Sequence, residues 1–111
     1  MAETELVLGI GCQRGTPAAL LARGIEDALR TMQLDVARVS TIATIGKKRD
    51  EVGLLQLVRT RGWALVFHDD LSDGVAEPAA ARHGRVLMGK RVYREPNIEG
   101  SMTIAIAEVE R

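Results

Sequence analysis

The sequence predicts an α/β fold: a single domain over residues 1–111, with three αβα layers around a mixed, mostly parallel sheet. Three observations carry the expectation. The first 68 residues alternate strand, helix, strand, helix, strand, an order that forms right-handed crossovers in a parallel sheet. The early strands are short apolar runs without polar alternation, as strands covered on both faces require. After His68 the connections shorten, which favours antiparallel pairing over further crossovers.

Taken in order, Glu5 to Ile10 reads as the first strand. Pro17 to Met32 carries Ala18, Leu21, Ile25, Ala28, Leu29 and Met32 at helical spacing. Thr16 suits the N-cap of that helix and Pro17 its first position. Val39 to Ile45, rich in β-branched residues, reads as the second strand. Asp50 is the expected N-cap of a second helix, with Leu54, Leu55, Leu57 and Val58 inside and Gly62 as its stop. Residues 63–67, WALVF, form a third buried-type strand. Ala76 to His83 reads as a short helix with Pro78 in its first turn and Gly84 ending it. RVLMGKRVY and SMTIAIAEV supply two further strands.

Composition narrows the function. Apolar residues make up 46% and charged residues 27% of the 111, ordinary for a globular domain. Fifteen Lys and Arg balance fifteen Asp and Glu, so no global field draws the chain to nucleic acid or an acidic membrane. Aromatics are 3%, namely Trp63, Phe67 and Tyr93, too few for a base-stacking platform. Cys12 is the single cysteine, so no internal disulfide forms. No basic leader and no long apolar run is present, and the expectation is a cytoplasmic domain.

The stretch GIGCQRGT, residues 9–16, joins the first strand to the first helix. In that position a glycine loop can offer backbone N–H groups to an anion. Its G-x-G-x-x-x-G spacing is one residue longer than the dinucleotide fingerprint and it lacks a P-loop lysine. A tight turn explains the glycines equally well. In a parallel sheet GKKRDEVG, residues 46–53, emerges on the same edge, so Arg14, Lys47, Lys48 and Arg49 can gather at one crevice. Each alone also reads as a solvated charge. Cys12 sits near a helix N-terminus without a base beside it, so a small packed residue is the better reading than a nucleophile. His68 begins HDDLSD, which is not a metal motif.

These segments, in this order, resemble one family. GIGCQRGTP opening a helix, IATIGKKRDEVGLLQL, VAEPAA and the closing GSMTIAIAEVER together are similar to the cobalamin-biosynthesis CobE / CbiG carboxy-terminal domain family. The likeness survives at Gly9, Gly11, Cys12, Arg14, Gly15, Thr16, Thr44, Lys48, Glu51, Gly53, Glu77 and Lys90. It departs at Gly46, where members usually carry aspartate, at Val52, often proline, and at Gly74, often serine. The segment from His68 to Gly74 is also shorter than usual.

The resemblance implies a three-layer α/β domain acting in construction of the corrin ring of vitamin B12. In the anaerobic route the domain is the carboxy-terminal part of a cobalt-precorrin-5A hydrolase, which opens a ring lactone and releases acetaldehyde. In the aerobic route it stands alone as an auxiliary protein binding a pathway intermediate, and this chain resembles that form. The implied ligand is a tetrapyrrole rich in carboxylates, with or without cobalt, and other cobalamin-pathway enzymes are candidate partners. Site candidates follow from the matched positions: Gly11, Gly15 and Thr16 as backbone donors, Arg14 as a bidentate carboxylate contact, Lys48 and Lys90 as point charges, with Cys12, Thr44 and Gly53 beside them. No metal site, and no cofactor beyond the ligand's own cobalt, is expected. Two alternatives stand beside this: lactone hydrolysis with His68 or Glu51 as base, and a small phosphate- or nucleotide-binding regulatory module. Oligomeric state is left open.

Overall fold

A computed structural model of the chain describes residues 4–71 and 76–109. The strands are β1 (Leu6–Cys12), β2 (Val39–Ile45), β3 (Ala64–His68), β4 (Arg85–Tyr93) and β5 (Met102–Glu108). The helices are α1 (Ala18–Thr31), α2 (Val52–Arg61) and α3 (Ala76–Ala81), with single 3₁₀ turns at Val36–Arg38 and Gly46–Lys48. Strand order is β3-β2-β1-β5-β4. β1 pairs in parallel with β2, and β2 with β3, whereas β1–β5 and β5–β4 are antiparallel. The sheet is therefore mixed and the fold α/β, as the sequence predicts.

Alternation along β1 builds the layers. Leu6, Leu8 and Ile10 face α1 and α2, joining Leu20, Leu21, Ile25, Leu29, Leu54, Leu57, Ile104 and Ile106 in the main core. Val7 faces the other way and packs with Ala43 and Ala79. Burying each large side chain of the main core stabilises the fold by about 1.5–3 kcal/mol. The opposite layer is thinner: among the described residues, its buried cluster between α3 and β5 is made of alanines, Ala76 and Ala80 with Ala105 and Ala107. Small residues on both surfaces let helix and sheet approach closely.

Several boundaries differ from the sequence reading. β1 runs two residues further, through Gly11 and Cys12, because β5 pairs it along its whole length, Cys12 opposite Met102. Pro17 occupies the α1 cap position, with no side-chain capping bond. Thr16 is buried, and its hydroxyl donates instead to the Gln13 carbonyl at 2.8 Å. Glu51, not Asp50, precedes α2, and it too makes no capping bond. Gly62 ends α2 at φ 72°, as predicted. β3 is half-buried rather than buried, because it lies at the edge of the sheet. α3 stops at Ala81, two residues short of His83. Part of VAEPAA (Val75) and the Gly74 departure fall outside the described residues.

Two carboxylates fasten the strand ends. Glu108 accepts from the Thr4 hydroxyl at 2.6 Å, from Arg85 at 3.0 Å and from Arg38 at 2.8 Å. These donors hold its carboxyl at about 2, against an ordinary 4.5. Glu95 is held at about 2 by the Arg23 fork, with both bonds at 2.7 Å, and by the Tyr93 hydroxyl. Both folded values lie below the unfolded one. Their contribution to stability is thus complete above pH 4.5 and disappears as pH falls from there towards 2. A melting temperature that falls steadily between pH 5 and 2.5, less steeply in Glu108→Gln, is the expected result by circular dichroism. An unchanged slope in that variant would contradict it.

Candidate functional site

The crevice lies at the carboxyl end of the parallel strands, where ligands sit in open α/β sheets. Its volume is about 350 Å³, and Ile10, Gly11, Cys12, Gln13, Arg14, Ile45, Lys48, Ser101, Met102 and Thr103 line it. Because β5 runs antiparallel to β1, the start of β5 arrives at this same edge. The floor is apolar, from Ile10, Cys12, Ile45 and Met102, and the rim carries Arg14 and Lys48. A second hollow, of about 520 Å³, lies across the Gln13–Arg14 ridge, between Gly15 and the Arg94–Gly100 segment. A third, of about 270 Å³, holds Thr16, Asp50, Glu51 and Gly53, again with Arg14 on its wall.

The glycines of GIGCQRGT do different work from one another. A Cβ on Gly9 would lie 1.9 Å from the Ala76 carbonyl, so this residue is small to admit α3. A Cβ on Gly11 would meet the Thr103 hydroxyl at 2.7 Å, across the β1–β5 ladder. Gly15 alone needs its conformational freedom, at φ 81°. The loop proper is short: Gln13 to Pro17, with the Thr16 N–H donating to the Gln13 carbonyl at 3.2 Å. It is stitched to the start of β5 by Gln13 N–H to the Ser101 carbonyl at 3.0 Å and by Ser101 N–H to the Thr16 hydroxyl at 3.3 Å.

The turn already holds anions, and they are the protein's own. The Gly15 N–H donates to Glu51 Oε2 at 3.0 Å. The Arg14 fork donates to both oxygens of Asp50, at 2.7 and 2.6 Å. That contact holds the Asp50 carboxyl below its usual range. Glu51 is 3% exposed, and its Oε1 has no hydrogen-bond partner among the described residues; Arg14 Nη1 stands 3.9 Å from it. Gly53 makes this possible, since a Cβ there would strike the Thr16 carbonyl at 2.3 Å. Cys12 is raised to about 11, by burial first, with Lys48 pulling it down and Glu51 pushing it up. At neutral pH it is a thiol, not a nucleophile.

The structure thus brings together Gly11, Cys12, Arg14 and Lys48 at the crevice, and Gly15, Thr16, Gly53 and Glu51 in the adjoining hollow. It places three candidates elsewhere. Thr44 is fully buried, its hydroxyl donating to the Ile10 carbonyl at 2.6 Å, where it ties β2 to β1 beneath the crevice. Lys90 lies on β4, beside α3, its backbone N–H donating to Glu77 at 3.2 Å. His68 turns towards His83, with the two Nε2 atoms 2.9 Å apart, and does not line the crevice. Burial and the neighbouring His68 depress His83. Among the described residues, no group of three His, Cys, Asp or Glu side chains is set to hold a metal ion, and no helix is long and apolar enough to cross a membrane.

Ser101, Met102 and Thr103 are wall residues that the sequence reading missed. Pairing SMTIAIAEV antiparallel with β1 would have put their end of the strand at this edge. Asp50 was missed as Arg14's partner, because 36 residues of chain separate them.

Fold and crevice define the class: a small α/β domain with an open, apolar-floored and basic-rimmed crevice beyond its parallel strands. Residues 6–72 match the family described as cobalamin synthesis G C-terminus. The chain belongs to that family, and so to cobalamin biosynthesis. It is 40% identical over 121 aligned positions to a cobalt-precorrin-5A hydrolase of Priestia megaterium, covering 92% of this chain and 32% of that protein. A second hydrolase of that name, from Salmonella typhimurium, is 40% identical over 53 positions, 48% of this chain and 15% of the other. The chain therefore spans a third or less of these relatives. Among solved structures, CobE, a protein from the cobalamin (vitamin B12) biosynthetic pathway, superposes with a TM-score of 0.78 at 29% identity, over 97% of this chain and 94% of CobE. The cobalamin biosynthesis protein chiG of Agrobacterium tumefaciens shares the fold, with a TM-score of 0.74 at 24% identity over 96% and 99% of the two chains.

Proposed function

We propose that the domain binds a corrin or precorrin intermediate rich in carboxylates, as an auxiliary or carrier protein. The observation that carries this reading is the crevice itself: an apolar floor rimmed by two cations, of which, among the described residues, Lys48 makes no ion pair and Arg14 hydrogen-bonds only to an exposed aspartate. An apolar floor suits the edge of a macrocycle, and two cations suit its peripheral carboxylates. At about 350 Å³ the crevice takes an edge of such a ring rather than enclosing it, so the rest lies over the Gln13–Arg14 ridge. Gly15 offers less than the sequence suggested, since Glu51 already occupies its N–H.

The likeness to two cobalt-precorrin-5A hydrolases favours a second reading, in which the domain contributes to lactone opening. The geometry gives it little support. Glu51 is buried beneath the turn and His68 faces away from the crevice. One titration separates the two: hydrogenobyrinic acid and an earlier precorrin are added to the purified protein, followed by visible absorption and product analysis. Stoichiometric binding with unchanged ligand is expected. Turnover would establish the enzyme, and absence of binding would defeat the carrier reading.

A further inference from the structure

The Arg14 cluster carries an inference that rests on the reading above and deepens it. Two adjacent carboxylates face one guanidinium, in opposite environments. Asp50 is 71% exposed and takes both Arg14 bonds. Glu51 is 3% exposed, is anchored by the Gly15 N–H, and keeps one buried oxygen without a hydrogen-bond donor among the described residues, 3.9 Å from Arg14 Nη1. A buried carboxylate oxygen left unpaired is costly and calls for a donor. Arg14 stands within reach of supplying one, and in this structure its fork is turned to Asp50.

We infer that Asp50 is a built-in stand-in for a ligand carboxylate, and that Glu51 is the positioning residue that keeps Arg14 at the crevice when the stand-in is displaced. An exposed ion pair is weak, so a ligand carboxylate arriving over the apolar floor can replace Asp50 on the guanidinium fork at little cost. Released from Asp50, Arg14 closes the gap to Glu51 Oε1 with one N–H and presents the others to the ligand. Arg14 has the five donors this requires. The turn does not move, because Glu51 holds the Gly15 N–H and the Thr16 hydroxyl ties to the Gln13 carbonyl. The ligand class follows: a carboxylate able to accept two parallel N–H bonds, attached to an apolar body.

The two neighbours therefore affect binding with opposite sign. Asp50→Asn removes the competing charge and tightens binding about threefold to fivefold, an advantage that shrinks with added salt. Glu51→Gln keeps an acceptor for Gly15 but turns an amide N–H towards Arg14, and weakens binding at least fivefold. Asp50 is at the surface, so its variant folds and carries the test even if Glu51→Gln does not. Calorimetric titration of wild type and both variants uses two probes, hydrogenobyrinic acid and the ringless tricarballylate, with thermal unfolding measured alongside. Opposite shifts with both probes support the inference. If wild type binds tricarballylate alone, with the shifts still opposed, the inference stands and the corrin reading falls. If hydrogenobyrinic acid binds but Asp50→Asn leaves affinity unchanged or weaker, the inference falls and the corrin reading stands. Failure of wild type and Asp50→Asn to bind either probe overturns both.

Discussion

Gly9→Ala is expected to lower the melting temperature by roughly 10 °C or more, a loss of about 2–3 kcal/mol, although it adds a single methyl group. That methyl would lie 1.9 Å from the Ala76 carbonyl oxygen and 2.9 Å from the Ala80 nitrogen. Both atoms are α3 backbone, so no rotamer change relieves the clash; the helix must withdraw. Withdrawal would open the alanine contact of α3 with β5, which has no long side chain to refill the space. Gly11→Ala is the control. It lies on the same face of the same strand, but among the described residues its methyl meets only the Thr103 hydroxyl, which can rotate away, so a loss near 1 kcal/mol is expected. Calorimetric unfolding of the two variants decides the matter. Equal losses would show that close approach of α3 is not why residue 9 is glycine.

The second large effect is on binding. Arg14→Ala combined with Lys48→Ala is expected to weaken hydrogenobyrinic acid binding about 30- to 150-fold, near 2–3 kcal/mol. Charge-assisted contacts to carboxylates contribute about 1.5–3 kcal/mol each when shielded from water, and this crevice is open, so the lower part of that range applies to each. Displacing Asp50 takes back less than about 1 kcal/mol. Neither side chain belongs to the main core, so the fold should be retained, with a modest loss of stability where Arg14 leaves Asp50 and Glu51. Full affinity in the double variant, with an intact fold, would remove the ligand from this crevice altogether.

The residues that made the fold legible are those whose period is local. The helical spacing of Leu21, Ile25, Ala28 and Leu29, and the β-branched run Val39–Ile45, each belong to one element and read correctly. What stayed hidden depends on neighbours distant in the chain. β1 gains Gly11 and Cys12 only because β5 pairs with them. β3 looks as buried as β2 in sequence, yet its place at the edge leaves it half-buried. The same division holds at the site. Arg14 and Lys48 were legible because parallel strands deliver successive loops to one edge. Glu51 was legible as a candidate, but its burial under the turn follows from the contact of Gly53 with Thr16, which no local pattern encodes. Lys90 was drawn in by family likeness, and it lies on β4, where its backbone N–H meets Glu77 of α3 rather than the crevice.

The strand order has a consequence for how the chain reaches its native state. β1, β2 and β3 can assemble early, with α1 and α2 laid across one face, while the free side of β1 waits for residues 102–108. During synthesis on the ribosome that side remains an open row of N–H and C=O groups flanked by Leu6, Leu8 and Ile10 until β5 emerges, some ninety residues after β1. Closing a ladder across so long a loop is slow, so the nascent half-sheet is the species most exposed to mispairing with another chain. The last strand both completes one wall of the crevice and ends that vulnerable interval.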